Sequence, residues 1–307
     1  MLRVFLTGAT GYIGGEALYS IYNATSIRSQ ITVLVRDPQK AELVTSQFPG
    51  VRIVHGDLDN SDLIREESSR ADAVFHVAST KHAASCNAIA NGLQVRRNRP
   101  GYWIQMSGAS VFSTPDIENG TYGEARPDVY RDVMDADKIT SIIKSNPSRT
   151  VDQLVLSQDP SRVRTALVIG PLIYGNGHGP GNTTSIQLPE LARNTLRIGQ
   201  GFQNYFRSML EAVASEKARA WNVEGVYFVE NGKMSFGELS QAVAVEAHKQ
   251  GLSASPEVSR SSDANEANEY MPHGAVLWGT KLQPSVKHSE QRLSLAGDPF
   301  TEIPEPQ

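Results

Sequence analysis

Short apolar runs rich in β-branched residues recur at 2–6, 31–35, 51–55, 73–78, 102–106, 165–169 and 226–229, with helical or turn-rich stretches between them. Strands spaced by helix-length connections pair in parallel through crossover helices, so the pattern predicts an α/β fold with a parallel sheet covered on both faces. Local signals place several boundaries. Asp37-Pro38 reads as an N-cap with proline at the first helical position, opening a helix over 38–47. Ser235 and Glu238 form a capping-box pattern ahead of Leu239 and Val243. A helix is expected from Pro189, closed by the stretch from Gly199 to Phe202, and the polar chain from about Pro284 reads as a loosely held tail.

Among the 307 residues, 39% are hydrophobic and 20% charged, enough to fill a sizeable core. The net charge of −4 gives no general attraction to nucleic acid or to an anionic membrane, so phosphate binding has to come from a local site. Cys86 is the one cysteine, which rules out an internal disulfide. The first apolar run leaves no room for a signal peptide, and no stretch approaches the roughly 20 apolar residues of a membrane span. The expectation is a cytoplasmic protein with neither nucleic-acid nor membrane partners.

The strongest chemical signal is Val4-Phe-Leu-Thr-Gly8-Ala-Thr10-Gly11-Tyr12-Ile13-Gly14. Here a strand runs into Gly-x-x-Gly-x-x-Gly and then into a helix-compatible stretch. Gly8 would permit the turn, Gly11 would let backbone approach a pyrophosphate, and Gly14 would let the helix pack on the strand. The bare N–H groups at that helix start would hold phosphate without net positive charge. A glycine-rich turn in an unrelated α/β protein is the competing reading, and the strand before and helix after disfavour it. Arg36, just after the second strand, is a candidate to pair with the 2′-phosphate of NADP, because Asp37 is occupied as a cap. NADP(H) is therefore expected over NAD(H). Asp57 reads equally as an acceptor for the adenine amino group or as a turn aspartate.

Together these residues resemble the extended short-chain dehydrogenase/reductase superfamily, in its NmrA-like and fungal epimerase/dehydratase-like branch. Further matching pieces are Gly56-Asp57-Leu58, His76-Val77-Ala78-Ser79, Ile104-Gln-Met-Ser107-Gly108, Pro171-Leu-Ile173-Tyr174-Gly175 and Gly225-Val-Tyr227, covering about residues 1–250. The resemblance implies a doubly wound Rossmann sheet over 1–170. It also implies a small C-terminal substrate lobe over 171–307, from which the strand at 226–229 returns to the sheet. By the same resemblance Asp57 and Leu58 border the adenine, and Val77 and Ala78 line the cofactor cleft. Ser107 takes the family's serine or threonine position, and Pro171, Ile173 and Tyr174 pass beside the nicotinamide.

The family's acid/base pair is missing. Standard members carry Tyr-x-x-x-Lys on the helix after the fifth strand, yet none of the ten tyrosines here has lysine four residues later. Tyr122-Gly-Glu-Ala-Arg126 is the nearest imitation, but Pro127 disfavours helix at Arg126. The expected helix, near 150–157, has neither residue. Ser107, or Tyr122 from a loop, is a candidate to serve the substrate oxygen, against bland roles as a strand-end cap and an exposed loop residue. Tyr174 reads as a packing residue, Lys81 and His82 as solvated, His178 as part of a turn, and Arg96, Arg97 and Arg99 as a solvated helix end. No metal-ligand spacing is present.

A family segment of about 15 residues also looks absent near 202–205, which predicts a more open substrate cleft. The expected function is NADP(H)-dependent oxidoreduction of a small carbonyl or alcohol. The alternatives are a non-catalytic redox sensor with a regulatory protein partner, and an epimerase or dehydratase.

Overall fold

The computed structural model describes residues 1–95, 99–124, 129–132, 134–170, 173, 175–185, 200–215, 221–228, 235–258, 260, 263–270, 273–280 and 284–285. Seven parallel strands form the central sheet: β1 (Leu2–Thr7), β2 (Ser29–Val35), β3 (Arg52–His55), β4 (Ala73–His76), β5 (Gly101–Gly108), β7 (Val163–Gly170) and β8 (Val226–Phe228). Their order is β3-β2-β1-β4-β5-β7-β8. The chain winds outward from β1 to β3 and then crosses back to β4, which makes the β1/β4 boundary a topological switch point. Open sheets of this kind bind ligands beyond the carboxyl ends of the strands at that boundary.

Most connections are helical: α1 (Tyr12–Tyr22), α2 (Pro38–Gln47), α3 (Ser61–Arg70) and α4 (Ala83–Gln94) follow the first four strands, and α5 (Thr114–Asn119), α6 (Ala136–Ser145) and α7 (Thr150–Leu156) lie between β5 and β7. The two faces of the sheet bury separate apolar clusters. One gathers Leu6, Leu18, Ile21, Val33 and Phe75; the other gathers Ile89, Trp103, Val151, Val155 and Leu167. The alternation along each strand sends successive side chains to opposite faces, and continuous apolar runs are what burial on both faces requires. Asp37 caps α2 by accepting from the Gln39 amide at 2.8 Å. Ser235 and Glu238 close their capping box at 3.1 and 2.7 Å on α9 (Phe236–Lys249).

Three local expectations are corrected. Gly201 and Phe202 do not close a helix; they lie inside α8 (Gln200–Ser215). Phe206, Met209, Leu210 and Val213 form a 3.6-period apolar stripe buried in the cluster that contains α1, and that burial overrides the glycine stop signal. Arg99 is no free part of a basic cluster: its guanidinium bonds the buried Asp72 at 2.7 Å, while Arg96 and Arg97 lie outside the described residues. Of the tail expected to be loosely held, Pro284 and Ser285 pair in parallel with β6 (Tyr130–Arg131), and the rest lies outside the described residues. The helix start expected at Pro189 and the walls of the substrate cleft fall outside the described residues. Among those described, no helix is long and apolar enough to cross a membrane.

Candidate functional site

The glycine-rich turn leaves β1 at the switch point. Gly8 has a left-handed backbone, with φ of +86°, and a Cβ there would sit 2.8 Å from the Ala78 backbone, two residues past the end of β4. A Cβ on Gly14 would lie 2.0 Å from the Gly8 carbonyl oxygen. Both positions exclude every other residue, so strand end and helix start are pressed together as the sequence implied. Gly11 is the N-cap of α1 and supplies no side-chain hydrogen bond. The first-turn amides of a helix have no intrahelical acceptor, and here no capping side chain takes them. With the helix dipole behind them, they fit a pyrophosphate.

Around this notch, Thr10, Tyr12, Ile13 and Val77 are partly exposed and Ala78 is exposed, and Asp57 and Leu58 stand half-buried after β3. Arg36 is exposed at the end of β2. The Asp57 carboxylate accepts from the Asp59 amide at 3.0 Å, a turn bond, and its own amide donates to Asn60 at 2.8 Å. Ile173 packs against the core from the strand-end loop; Pro171 and Tyr174 lie outside the described residues.

The segment 175–185 straps down over the turn. The Asn182 amide donates to the Thr10 carbonyl at 3.1 Å, and the Tyr12 hydroxyl donates to the Gly175 carbonyl at 2.8 Å. Burial, reinforced by Glu16, pushes the Tyr12 phenol up to about 12, so it acts here as an anchor rather than an acid. His178 departs from the turn role expected of it. Its amide bonds Glu16 at 2.8 Å, and its ring stacks on Tyr19 with centroids 4.7 Å apart. Glycines at 179 and 181 are required because their backbones touch those of Gly15 and Thr10.

Beneath the cradle a buried polar chain joins β1, β4 and α4. Thr7 Oγ1 lies 2.6 Å from His76 Nδ1, and His76 Nε2 lies 3.3 Å from Ser85 Oγ. Ser85 donates its one hydroxyl proton to the His82 carbonyl, so His76 must donate from Nε2 and accept from Thr7. Burial, with His82 nearby, pushes His76 down to about 3, and the ring is neutral. His82, expected to be solvated, instead caps α4 by accepting from the Ser85 amide at 3.2 Å, and its other nitrogen faces Asp59 at 3.1 Å.

At the end of β5 the arrangement was missed from sequence. Ser107 is buried, and its hydroxyl donates to Asp152 Oδ2 on α7 at 2.9 Å. The Arg149 guanidinium stands 3.7 Å from the same oxygen and donates to Ser110 Oγ at 2.9 Å. Burial pushes the Asp152 carboxyl up to about 6, against the opposing pull of the Ser107 hydroxyl and Arg149. Helix α7 is the element expected to carry an acid/base pair, and it brings aspartate and arginine to Ser107 instead of tyrosine and lysine. The spacing Arg149-x-x-Asp152, one helical turn, was the available signal. Tyr122 sits elsewhere, in a loop held by the Gly123 amide to Gly279, and no described contact joins it to Ser107.

Comparison with known proteins agrees with this geometry. Residues 2–94 match the NmrA-like family. A curated oxidase, ucsJ of an Acremonium species, is 33% identical over 322 residues, covering 95% of this chain and 92% of the relative. The structure of Gre2 from Candida albicans in complex with NADPH superposes with a TM-score of 0.58 at 12% identity, over 98% of this chain and 95% of that one. WbmH of Bordetella bronchiseptica, solved with NAD+, superposes with a TM-score of 0.53 at 14% identity, over 84% of each chain. The structural matches establish the fold.

Proposed function

Given that the chain belongs to the extended short-chain dehydrogenase/reductase superfamily, in its NmrA-like branch, we propose that it is an NADP(H)-dependent oxidoreductase acting on a small carbonyl or the matching alcohol. The observation that carries this reading is the uncapped start of α1, at the switch point, behind glycines that no other residue can replace. When bound, the dinucleotide supplies or accepts hydride at its nicotinamide ring. The turn from Gly8 to Gly14, with the amides of Tyr12 and Ile13, would hold the pyrophosphate. Arg36 would pair with the 2′-phosphate, Asp57 and Leu58 would border the adenine, and Val77, Ala78 and Ile173 would line the way to Ser107.

Calorimetric titration with NADPH, NADP+, NADH and NAD+ tests the cofactor, and turnover of the reduced form with aldehydes and ketones tests the reaction. Arg36→Ala is expected to weaken NADPH by about 10- to 100-fold, the loss of a charge-assisted contact, and to leave NADH within about twofold. Equal weakening of both cofactors, or tighter NADH than NADPH in the parent, would refute the phosphate assignment. Unequal affinity for NADPH and NADP+ with no turnover would point instead to a redox sensor reporting to a partner protein.

A further inference from the structure

We propose that Asp152 is the proton store for the substrate oxygen, delivering through the hydroxyl of Ser107, with Arg149 holding the carboxylate that remains. The proposal rests on the oxidoreductase reading above and deepens it.

Position marks out this aspartate: its carboxylate is the group that the Ser107 hydroxyl meets. Asp152 is 2% exposed, and its Oδ1 is buried with no hydrogen-bond partner among the described residues. A permanently ionised carboxylate with one orphaned oxygen is costly to bury, whereas a carboxylic acid leaves a carbonyl oxygen there at much lower cost. The 2.9 Å contact to Ser107 serves both forms. An ionised Asp152 accepts from Ser107, and a protonated one donates to Ser107 and frees the hydroxyl proton to point outward. Next to Ser107, a would-be Cβ on Gly108 meets Ser110 Oγ at 3.7 Å among the described residues. The proposal places the carbonyl oxygen at Ser107 from the Gly108 side, at the end of β5.

The electron and proton balance closes. In reduction the carbonyl carbon gains a C–H bond from the hydride of the reduced dinucleotide, which ends oxidised, and the C=O π pair moves to oxygen. That oxygen takes the Ser107 proton as Ser107 takes the proton of Asp152 Oδ2. Asp152 ends as a carboxylate 3.7 Å from the Arg149 guanidinium, and solvent reprotonates it before the next turnover. Alcohol oxidation runs the same path backwards and needs the carboxylate.

Among the described residues, the groups facing Asp152 are few. Ser107 comes from β5, the Cys86 thiol from α4 and Arg149 from its own helix. The other charges on the packed elements point away. Lys138 of α6 (Ala136–Ser145) lies over the Tyr130 ring, Asp137, Lys144 and Glu224 are exposed, and Arg164 of β7 bonds Tyr102. Burial sets the direction of the carboxyl's shift, and Arg149 limits it.

Two readouts test the proposal. Infrared difference spectroscopy of the cofactor-free protein should show a carboxylic C=O band that titrates with a midpoint near 6. The band should be missing in Asp152→Asn, and its midpoint should move upward in Arg149→Gln, where the stabilising cation is gone. Carbonyl reduction should lose rate tenfold per pH unit above that midpoint, while alcohol oxidation rises through it to a plateau. Asp152→Asn, which still accepts from Ser107 but cannot release a proton, should cut kcat about 100-fold or more, leave NADPH affinity within twofold and flatten the pH profile.

Absence of the titrating band overturns the proposal whatever the activity. A band that is present, with a pH profile unchanged in Asp152→Asn and unmoved in Arg149→Gln, also overturns it and reduces Asp152 to packing. Failure of the parent protein to bind any of the four dinucleotides overturns the oxidoreductase reading and this proposal with it.

Discussion

Replacing Gly14 by alanine tests the cradle with one methyl group. The added Cβ would stand 2.0 Å from the Gly8 oxygen, 2.5 Å from its carbonyl carbon and 3.1 Å from the Ala9 nitrogen. Ordinary contact is about 3.5 Å, so strand end and helix start must part by more than about 1 Å. All three neighbours are backbone, and no side chain can swing aside to relieve the clash. A displacement of that size opens a hydrogen bond of about 2.9 Å beyond the range in which it holds. The loss of one or two charge-assisted amide–phosphate bonds, at about 1.5–3 kcal/mol each, raises the Kd for NADPH by at least about tenfold. Overpacking should cost a further ~1–3 kcal/mol of stability. Calorimetric titration measures the first effect and urea unfolding the second. Gly237→Ala is the control: it lies in the first turn of α9, with Ser235 Oγ at 3.8 Å, and should bind NADPH normally. If Gly14→Ala binds NADPH within twofold of the parent and unfolds at the same urea concentration, the close-approach account of this turn is wrong.

Two further predictions follow from buried titrating groups. Asp152 is raised from 3.8 to about 6, so the ionised form is disfavoured in the fold. The stability it contributes is complete below 3.8 and is lost as pH rises through about 6. The difference in unfolding free energy between Asp152→Asn and the parent should therefore change by on the order of 3 kcal/mol in favour of asparagine across that window. Parallel stability curves from urea titrations would count against the buried acid. His76 works in the opposite direction: it is lowered from 6.5 to about 3, so its contribution is complete above 6.5 and is lost as pH falls toward 3. His76→Gln should flatten the acid limb of the stability curve by a few kcal/mol, and an acid limb as steep as the parent's would refute the neutral-ring assignment.

What could be read from the chain depended on how local each feature is. The cradle needs a strand, a turn and a helix within the first 22 residues, and every requirement is visible in order along the sequence. The caps at Asp37 and Ser235 close within three residues, which is why they were equally plain. Ser107 and Asp152 are 45 positions apart, and the contact exists because β5 and α7 bury one face against each other. His178 and Glu16 meet across 162 positions, so a glycine-rich run that reads as a turn proves to be a strap. Gly201 failed as a stop signal for a related reason. Backbone propensity there amounts to about 1 kcal/mol, while each buried apolar side chain of the α8 stripe is worth about 1.5–3 kcal/mol.

The two buried polar chains near the strand ends differ in one respect that separates structure from chemistry. In the first, every hydrogen has a destination: Thr7 donates to His76, His76 to Ser85 and Ser85 to the His82 carbonyl. A fully satisfied network of this kind rigidifies what it joins, and here it ties β1 to β4 directly under the phosphate notch. In the second, Asp152 Oδ1 and Arg149 Nε are buried without partners among the described residues, although a cation and an acid stand within 3.7 Å. Burying such an atom costs about 1–3 kcal/mol, a cost that Ser68 Oγ and Trp103 Nε1 also bear, and Asp152 differs from them in meeting the Ser107 hydroxyl. That cost has a use where a proton must be held loosely enough to leave. The neutral histidine chain therefore stiffens the glycine-rich turn, and in the proposal above the incompletely bonded aspartate chain carries the reactive proton.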